Sequence, residues 1–277
     1  MVQSHFTALL KHIVRIATKP LYRERYFQLK RLQKKERYQV CEVSLENQTI
    51  ELVDAASFIF MYKEIFEHEI YRFNASTNTP RIIDGGTNIG LSVIYFKKLY
   101  PNSEIIAFEP DEKIFSTLTK NINNSAHKEG ITLVQKALWN EETTLEFMSE
   151  GADAGRLQQV DRSHNTIIVP TVRLRGYLTQ TIDFLKLDIE GAELEVIRDC
   201  EDLLCNVHHM FIEYHSFLGM PQTLSELLGI ISRAGFRFYL QPCVSLPQPL
   251  NEIRSYQGMD AQVNIFAYRE NSGVNIL

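Results

Sequence analysis

Apolar positions along this chain change their period several times between Arg81 and Tyr268. Short β-branched runs, typical of buried strands, alternate with stretches whose apolar residues recur every three or four positions, typical of helices. The runs predict seven strands, at Arg81–Ile83, Glu104–Phe108, Ile131–Gln135, Asp183–Leu187, Met210–Ile212, Phe236–Leu240 and Val263–Tyr268. Strands separated by helices predict an α/β fold with a doubly wound, mostly parallel sheet.

The polar stretch that ends at Pro80 predicts a boundary between two parts of the chain. Residues 1–80 are expected to form an N-terminal helical and hairpin cap, and residues 81–277 the main domain. The predicted elements of the cap are helices over residues 3–18 and after Pro20, a hairpin over residues 39–53, and a helix over Asp54–Tyr71.

A polar insertion interrupts the main domain between its third and fourth strands. The stretch Thr144–Met148 largely alternates polar and apolar residues, and Thr166–Val169 is a β-branched run, which together predict two extra strands. They flank a polar loop, Gly151–Asn165. We expect this loop, together with the helices before Asp54, to cover the strand ends and set the choice of a substrate.

Charge is distributed unevenly along the chain, whose net charge is −5. Residues 1–40 hold ten basic and two acidic groups, a net of +8, and the other residues a net of −13. The basic amphipathic N-terminus is compatible with a membrane surface, but we interpret it as a cap packed on the domain. An acidic main body argues against a nucleic-acid substrate, since phosphate contacts dominate such binding.

The expected cellular compartment follows from the absence of membrane-span, secretory-signal and paired-cysteine patterns in the sequence. No apolar run approaches the length of a membrane span, and the N-terminus shows no secretory signal pattern. The four cysteines include no Cys-x-x-Cys pair, and this usage suits a reducing compartment. We therefore expect a cytoplasmic protein without a transmembrane segment.

The densest chemical signal is the predicted turn that follows the first main strand. Its residues are Asp84, Gly85, Gly86, Thr87, Asn88 and Gly90. The dinucleotide fingerprint requires glycine where this chain has Thr87, whereas S-adenosylmethionine (SAM) sites fit better. Asp84 can order the polar network around the ammonium group of SAM, and backbone N–H groups can face its carboxylate. A plain strand-to-helix turn remains the alternative.

Two further acids end predicted strands at the same sheet edge. Glu109 lies 25 residues after Asp84, close to the offset of about 20 residues at which an acid binds ribose hydroxyls in a related fold. Pro110 would then turn the chain under the adenine, and Ala137 would lie beside the adenine edge. The alternative for this stretch is a helix N-cap at Asp111. Asp188 ends the fourth strand, next to the expected switch point, and is a candidate for both cofactor binding and catalysis.

The three motifs together resemble the FkbM family of SAM-dependent methyltransferases. They are Ile83–Gly90, Phe108–Pro110 and Leu187–Glu193, and the resemblance runs from about Asp54 to Tyr268. It implies a Rossmann-like class I methyltransferase fold, SAM as the cofactor, and methyl transfer to oxygen on a small-molecule, sugar or natural-product acceptor. The family usually has alanine at the position of Thr87.

Methylation of a hydroxyl also requires removal of a proton. His215, at the end of the fifth strand, is the candidate general base, because histidine titrates near neutrality. Glu213 points the same way in an extended chain and would orient the imidazole or the acceptor, beside Asp188. These three residues could instead hold Mg²⁺, as in some catechol-type methyltransferases, but we expect no metal.

Three other functions stay open from the sequence. A carboxylate acceptor, such as a peptide C-terminus or a small acid, would give a methyl ester and need no general base. A nucleotide-dependent oxidoreductase is the second alternative, against which Thr87 argues. The third is a non-catalytic scaffold that keeps the fold.

Overall fold

The structure is a computed structural model that describes residues 17–148, 156–157, 166–252, 255 and 258–270. The helix expected over residues 3–18 lies outside this part except for its last two residues, which are helical. Of the polar loop Gly151–Asn165, only residues 156–157 are described. Among the described helices, none has the length and apolar character needed to cross a membrane.

Thirteen strands and six α-helices make up the described chain. The strands are β1 (Cys41–Leu45), β2 (Gln48–Leu52), β3 (Arg81–Gly85), β4 (Glu104–Phe108), β5 (Ile131–Val134), β6 (Ala137–Trp139), β7 (Thr144–Met148), β8 (Arg156–Leu157), β9 (Thr166–Arg173), β10 (Ile182–Leu187), β11 (Val207–Phe217), β12 (Arg237–Pro242) and β13 (Met259–Tyr268). The α-helices are α1 (Pro20–Leu32), α2 (Ala55–Tyr62), α3 (Leu91–Leu99), α4 (Glu112–Asn123), α5 (Glu193–Asp199) and α6 (Leu224–Arg233).

Seven strands form the central sheet in the order β12-β13-β11-β10-β3-β4-β5. Strand β13 is antiparallel to both of its neighbours, and the other adjacent pairs are parallel. The predicted doubly wound, mostly parallel sheet is therefore confirmed. The chain moves outward from β3 to β5, and later from β10 towards the opposite edge, so the order reverses between β3 and β10. Open α/β sheets bind ligands at such a switch point.

Hydrophobic clusters cover both faces of the sheet. One contains α3, α4 and residues of the N-terminal segment such as Leu29, Ile50 and Phe58. The other contains α5 and α6, with Val196, Ile197 and Ile231 fully buried. The N-terminal segment thus packs on the same face as the first two helices of the main domain.

Most smaller elements of the prediction are confirmed. Strands β1 and β2 form the expected hairpin around Glu46 and Asn47, which both have positive φ, the backbone of a type I′ turn. The insertion strands β7 and β9 pair antiparallel and belong to a second sheet, β6-β9-β7-β8.

Several predicted elements have the wrong boundaries, and two of these differences affect the cavity. The expected helix Asp54–Tyr71 is α-helical only as far as Tyr62 and continues as a π-helical turn, Lys63–Glu67. Strand β11 runs on to Phe217 instead of ending at Ile212, because antiparallel pairing with β13 continues along it. Glu213 and His215 therefore lie within a strand and not after one.

Hydrogen bonds tie the N-terminal hairpin to the main domain, from Lys98 to Glu46 and from Thr117, Lys120 and Asn121 to Glu51. The side chain of Asn121 on α4 is fully buried. Its Oδ1 accepts from Glu51 N at 2.8 Å, and its Nδ2 donates to Glu51 O at 3.0 Å and to Ile89 O at 2.9 Å. Strand β2 and the loop after β3 are thus joined through one residue.

Candidate functional site

The carboxyl ends of the central strands open into a cavity of about 420 Å³, a volume in the range of cofactor sites. Its walls come from the loop after β3, the ends of β4, β10 and β11, the start of β6 and the segment around α2. Predicted site residues on these walls are Gly86, Thr87, Asn88, Glu109, Pro110, Ala137, Asp188 and Glu213. The others, Asp84, Gly85, Gly90 and His215, are buried behind them.

The loop between β3 and α3 has left-handed backbone at Gly86, Asn88 and Gly90, with φ angles of 77°, 53° and 96°. At Gly86 no side chain fits, because a Cβ there would lie 1.8 Å from the carbonyl oxygen of Asp188. The absence of a side chain at this position lets the loop reach the end of β10. Only glycine satisfies both the backbone angle and this approach.

Backbone N–H groups of the loop are engaged within the protein. Gly86 N and Thr87 N donate to Phe108 O at 3.1 and 3.0 Å, and Asn88 N donates to Glu109 Oε2 at 3.0 Å. The sequence predicted instead that N–H groups of this turn face a ligand carboxylate. These three hydrogen bonds attach the loop to the end of β4, so its shape is set by the protein itself.

Asp84 lies beneath the loop and forms part of a buried ion cluster. Its carboxylate accepts from the Ser92 hydroxyl and lies 3.3 Å from Lys186 Nζ. The same ammonium group donates to Gly85 O at 3.2 Å and Gly86 O at 2.8 Å, and lies 3.6 Å from Asp188 Oδ2. Burial by itself would lower the pKa of Lys186, but the charges of Asp84 and Asp188 outweigh it and raise the pKa. Lys186 therefore stays charged and holds the loop against β10.

Glu109 is buried on the cavity wall. Besides Asn88 N, its carboxylate accepts from Asp111 N at 3.0 Å. Burial raises the pKa of Glu109 to about 7, although these two hydrogen bonds and Lys186 oppose the shift. Asp111 also caps α4 by accepting from Lys113 N and Ile114 N. The N-cap alternative is thus correct for Asp111 and leaves Glu109 facing the cavity.

His215 is the centre of a second charged cluster, behind the cavity wall. Its side chain is only 1% exposed, and Nδ1 lies 3.1 Å from Glu193 Oε1. Nε2 lies 3.6 Å from Glu190 Oε2 and 3.7 Å from Glu213 Oε1. Burial would lower the pKa of His215, but the three carboxylates outweigh it and raise the pKa well above the ordinary value. The imidazole therefore carries a proton near neutral pH.

Carboxyl groups dominate the cavity end near this cluster. Glu64, Asp188, Glu190 and Glu213 all line it. Burial, followed by the charge of Asp188, raises the pKa of Glu213 well above its usual range, while His215 acts in the opposite direction. The possible metal ligands from the sequence, Asp188, Glu213 and His215, carry ligand atoms within 4.8 Å of one another, so a cation could be held there.

Two functional groups of this cavity had no assigned role in the sequence analysis. Lys186 could have been found, because a lysine inside the buried strand β10 must have charged partners. Glu64 gave no such signal, since the pattern around it indicates an ordinary amphipathic helix. The structure places it on the cavity wall opposite the strand ends.

A protein-family model described as the methyltransferase FkbM domain matches residues 84–238 of this chain, which is more than half of it. The matched region begins at Asp84 and contains the glycine loop, Glu109, Asp188 and His215. The match thus includes all the site residues of the main domain described so far, from Asp84 to His215 on β11.

Individual proteins are similar to this chain over about half of its length or more. Methyltransferase sdnD of Sordaria araneosa is 29% identical over 178 residues, 52% of this chain and 69% of that protein. Methyltransferase 1 of Beauveria bassiana is 29% identical over 199 residues, 61% of this chain and 80% of that protein. The 2-O-methyltransferase NoeI of Sinorhizobium fredii is 24% identical over 156 residues, 49% and 63% of the two chains. A crystal structure of methyltransferase FkbM from Methylobacillus flagellatus has a TM-score of 0.47 at 18% identity and covers 73% of this chain and 46% of that one.

Proposed function

The chain belongs to the FkbM family of methyltransferases and uses SAM as its methyl donor, and on this premise we propose that it methylates a hydroxyl oxygen of a small-molecule, sugar or natural-product acceptor. One relative is a 2-O-methyltransferase, which supports transfer to oxygen. Membership in this family removes the oxidoreductase and scaffold alternatives.

The cavity has the features that SAM requires. When bound, SAM supplies a methyl group on a positively charged sulfur. Gly86 lets the loop pack against the end of β10 on the cavity wall, and the Glu109 carboxylate has acceptor capacity for two ribose hydroxyls. The residues that we propose to contact SAM are Gly86, Thr87 and Asn88 in the loop, Glu109, Pro110 and Ala137 around the nucleoside, and Asp188 at the amino-acid end. Asp84, Gly85 and Gly90 support the loop from behind the cavity wall.

The choice of acceptor rests on the charge at the end of the cavity near His215. Four carboxyl groups line it, whereas Lys186 is already paired with Asp84 and Asp188, Arg37 is paired with Asp54, and Lys136 lies next to Ala137. A carboxylate acceptor would meet the charge of Asp188 there and, above about pH 7, that of Glu64. A neutral hydroxyl avoids this repulsion, so we place O-methylation of alcohols ahead of methyl-ester formation.

Labelled SAM distinguishes these two reactions. The acceptors would be methyl glycosides and N-acetylserine methyl ester for hydroxyls, and N-acetylalanine for a carboxylate. Methyl ethers keep the label in alkali, whereas methyl esters release it as volatile methanol. We expect alkali-stable product with hydroxyl acceptors, and a label released by alkali would favour the carboxyl alternative.

Affinity for S-adenosylhomocysteine (SAH), the demethylated product, is expected to rise with pH through about 7. Below this pH Glu109 is protonated in the free protein, and it must lose the proton to accept both ribose hydroxyls. The affinity at pH 6 should therefore be up to about tenfold lower than at pH 8. Isothermal titration calorimetry at three pH values measures it.

Glu109→Gln should lower SAH affinity roughly 10- to 100-fold, because hydrogen bonds to a charged group are lost. It should also remove the part of the pH dependence that belongs to Glu109, and comparison with the wild type cancels titration of the ligand's own amine. Glu112→Gln, at an exposed position of α4, is the matched control. An unchanged pH dependence in Glu109→Gln would contradict the ribose assignment.

A further inference from the structure

Glu64 lies on the π-helical turn that follows α2. The turn closes with a hydrogen bond from His68 N to Lys63 O at 2.8 Å. Its neighbour Ile65 is buried in the core, while Glu64 itself is half-buried and faces the cavity. Single π-helical turns within helices are frequent at functional sites.

The Glu64 carboxylate is available for a ligand. Within the described part of the chain it makes no hydrogen bond and no ion pair, and its strongest electrostatic neighbour is Asp188. A general base must reach the acceptor and have a free lone pair. Glu64 has such a lone pair, and it lies on the wall of the same cavity as Asp188 and Glu213.

The other ionisable groups near the acceptor end fit this role less well. His215 is 1% exposed, with both ring nitrogens among carboxylates. Glu213 accepts a hydrogen bond from Gln262 and also contacts His215. Asp188 is paired with Lys186, and Glu190 lies 3.6 Å from His215 Nε2. His215 is therefore better placed to position Glu213 than to take a proton from an acceptor.

The geometry points to Glu64 as the general base that removes the proton of the acceptor hydroxyl, an assignment that rests on the proposed O-methyl transfer. As the acceptor oxygen bonds to the methyl carbon, the carbon–sulfur bond breaks and its electron pair stays on sulfur. The hydroxyl proton moves to the Glu64 carboxylate. Charge is conserved, since the positive sulfur and the negative carboxylate both become neutral.

The surroundings of Glu64 give it a suitable acidity. Burial, with a smaller contribution from Asp188, raises the pKa of Glu64 to about 7. The other titratable groups that face it are Glu213, Cys243 and Tyr71. A base with a pKa near the working pH combines an ionised fraction with a real affinity for the proton.

Glu64→Gln tests the assignment with the best hydroxyl acceptor found in the panel above. The wild-type kcat should rise with pH below about 7 and then level off, because the carboxylate must be ionised. In the variant we expect kcat to fall roughly 10²- to 10⁴-fold and this rise to disappear. The KM for SAM should stay within about twofold, since Glu64 is not assigned to SAM.

Glu67→Gln is the matched control, because Glu67 lies on the same turn but is exposed. A readout independent of turnover is carbon-13 NMR of the glutamate carboxyl groups with SAH bound, in which the resonance lost in Glu64→Gln should titrate at about pH 7. Retention of the wild-type pH profile in Glu64→Gln would overturn the assignment. If a metal chelator abolished the activity of the wild type, activation of the acceptor hydroxyl would instead be assigned to a metal held by Asp188, Glu213 and His215. Absence of product with every hydroxyl acceptor would instead overturn the proposed function.

Discussion

Alanine at Gly86 is expected to abolish detectable binding of SAH. The new Cβ would lie 1.8 Å from the carbonyl oxygen of Asp188, and this atom is backbone that cannot rotate away. The φ angle of 77° adds strain of about 1–2 kcal/mol for a residue with a side chain. The loop must therefore leave its contact with the end of β10, and the proposed SAM site loses its shape. Calorimetric titration with SAH measures the loss.

Gly176→Ala is the matched control for this substitution. A Cβ at Gly176 would have no atom within 4 Å, so both stability and SAH affinity should stay close to the wild type. Circular dichroism would show whether Gly86→Ala is still folded. A folded Gly86→Ala protein that binds SAH with wild-type affinity would exclude this loop from the cofactor site.

Lys186→Met is expected to destabilise the whole domain. It leaves Asp84 fully buried without its cation, and it removes the donor to Gly85 O and Gly86 O. Breaking a buried ion pair from one side costs about 3–5 kcal/mol. For a chain of this size each kcal/mol corresponds to roughly 2–4 °C in Tm, so Tm should fall by roughly 6–20 °C.

A double variant shows how much of this loss of Tm comes from the uncompensated charge and how much from packing. Asp84→Asn combined with Lys186→Met removes the uncompensated charge, and we expect it to recover part of the lost Tm. Lys128→Met, at an exposed position, should leave Tm unchanged. If Lys186→Met melted like the wild type, the buried cluster would have no structural importance.

The order of strands and helices was predictable because each element carries its own pattern. The β-branched run before Asp84 and the helical spacing after Gly90 identify β3 and α3 without knowledge of the fold. The end of β11 was missed because its extension to Phe217 depends on pairing with β13, and that strand lies far along the chain. Register between distant strands leaves no local signature.

The site residues also fall into two groups, those with a local sequence signal and those without one. Glu109 and the glycine loop were predictable because they belong to short motifs at strand ends. The pairing of Lys186 with Asp84 joins residues 102 positions apart. It can be predicted only when β3 and β10 are known to be neighbours in the sheet. Glu64 enters the cavity because a π-helical turn interrupts the expected helix, and the amphipathic pattern does not reveal such a turn.

The buried amide of Asn121 has a consequence for protein engineering. It fixes the hairpin strand β2 to the backbone of Ile89 within the glycine loop, so the segment that carries Glu64 is anchored close to the nucleoside pocket. We therefore consider hybrid enzymes in which the first 80 residues are exchanged between relatives. They should gain a new acceptor preference only when the side chain at position 121 still forms hydrogen bonds with strand β2 of the exchanged segment. Donors with asparagine there are the partners to recombine first.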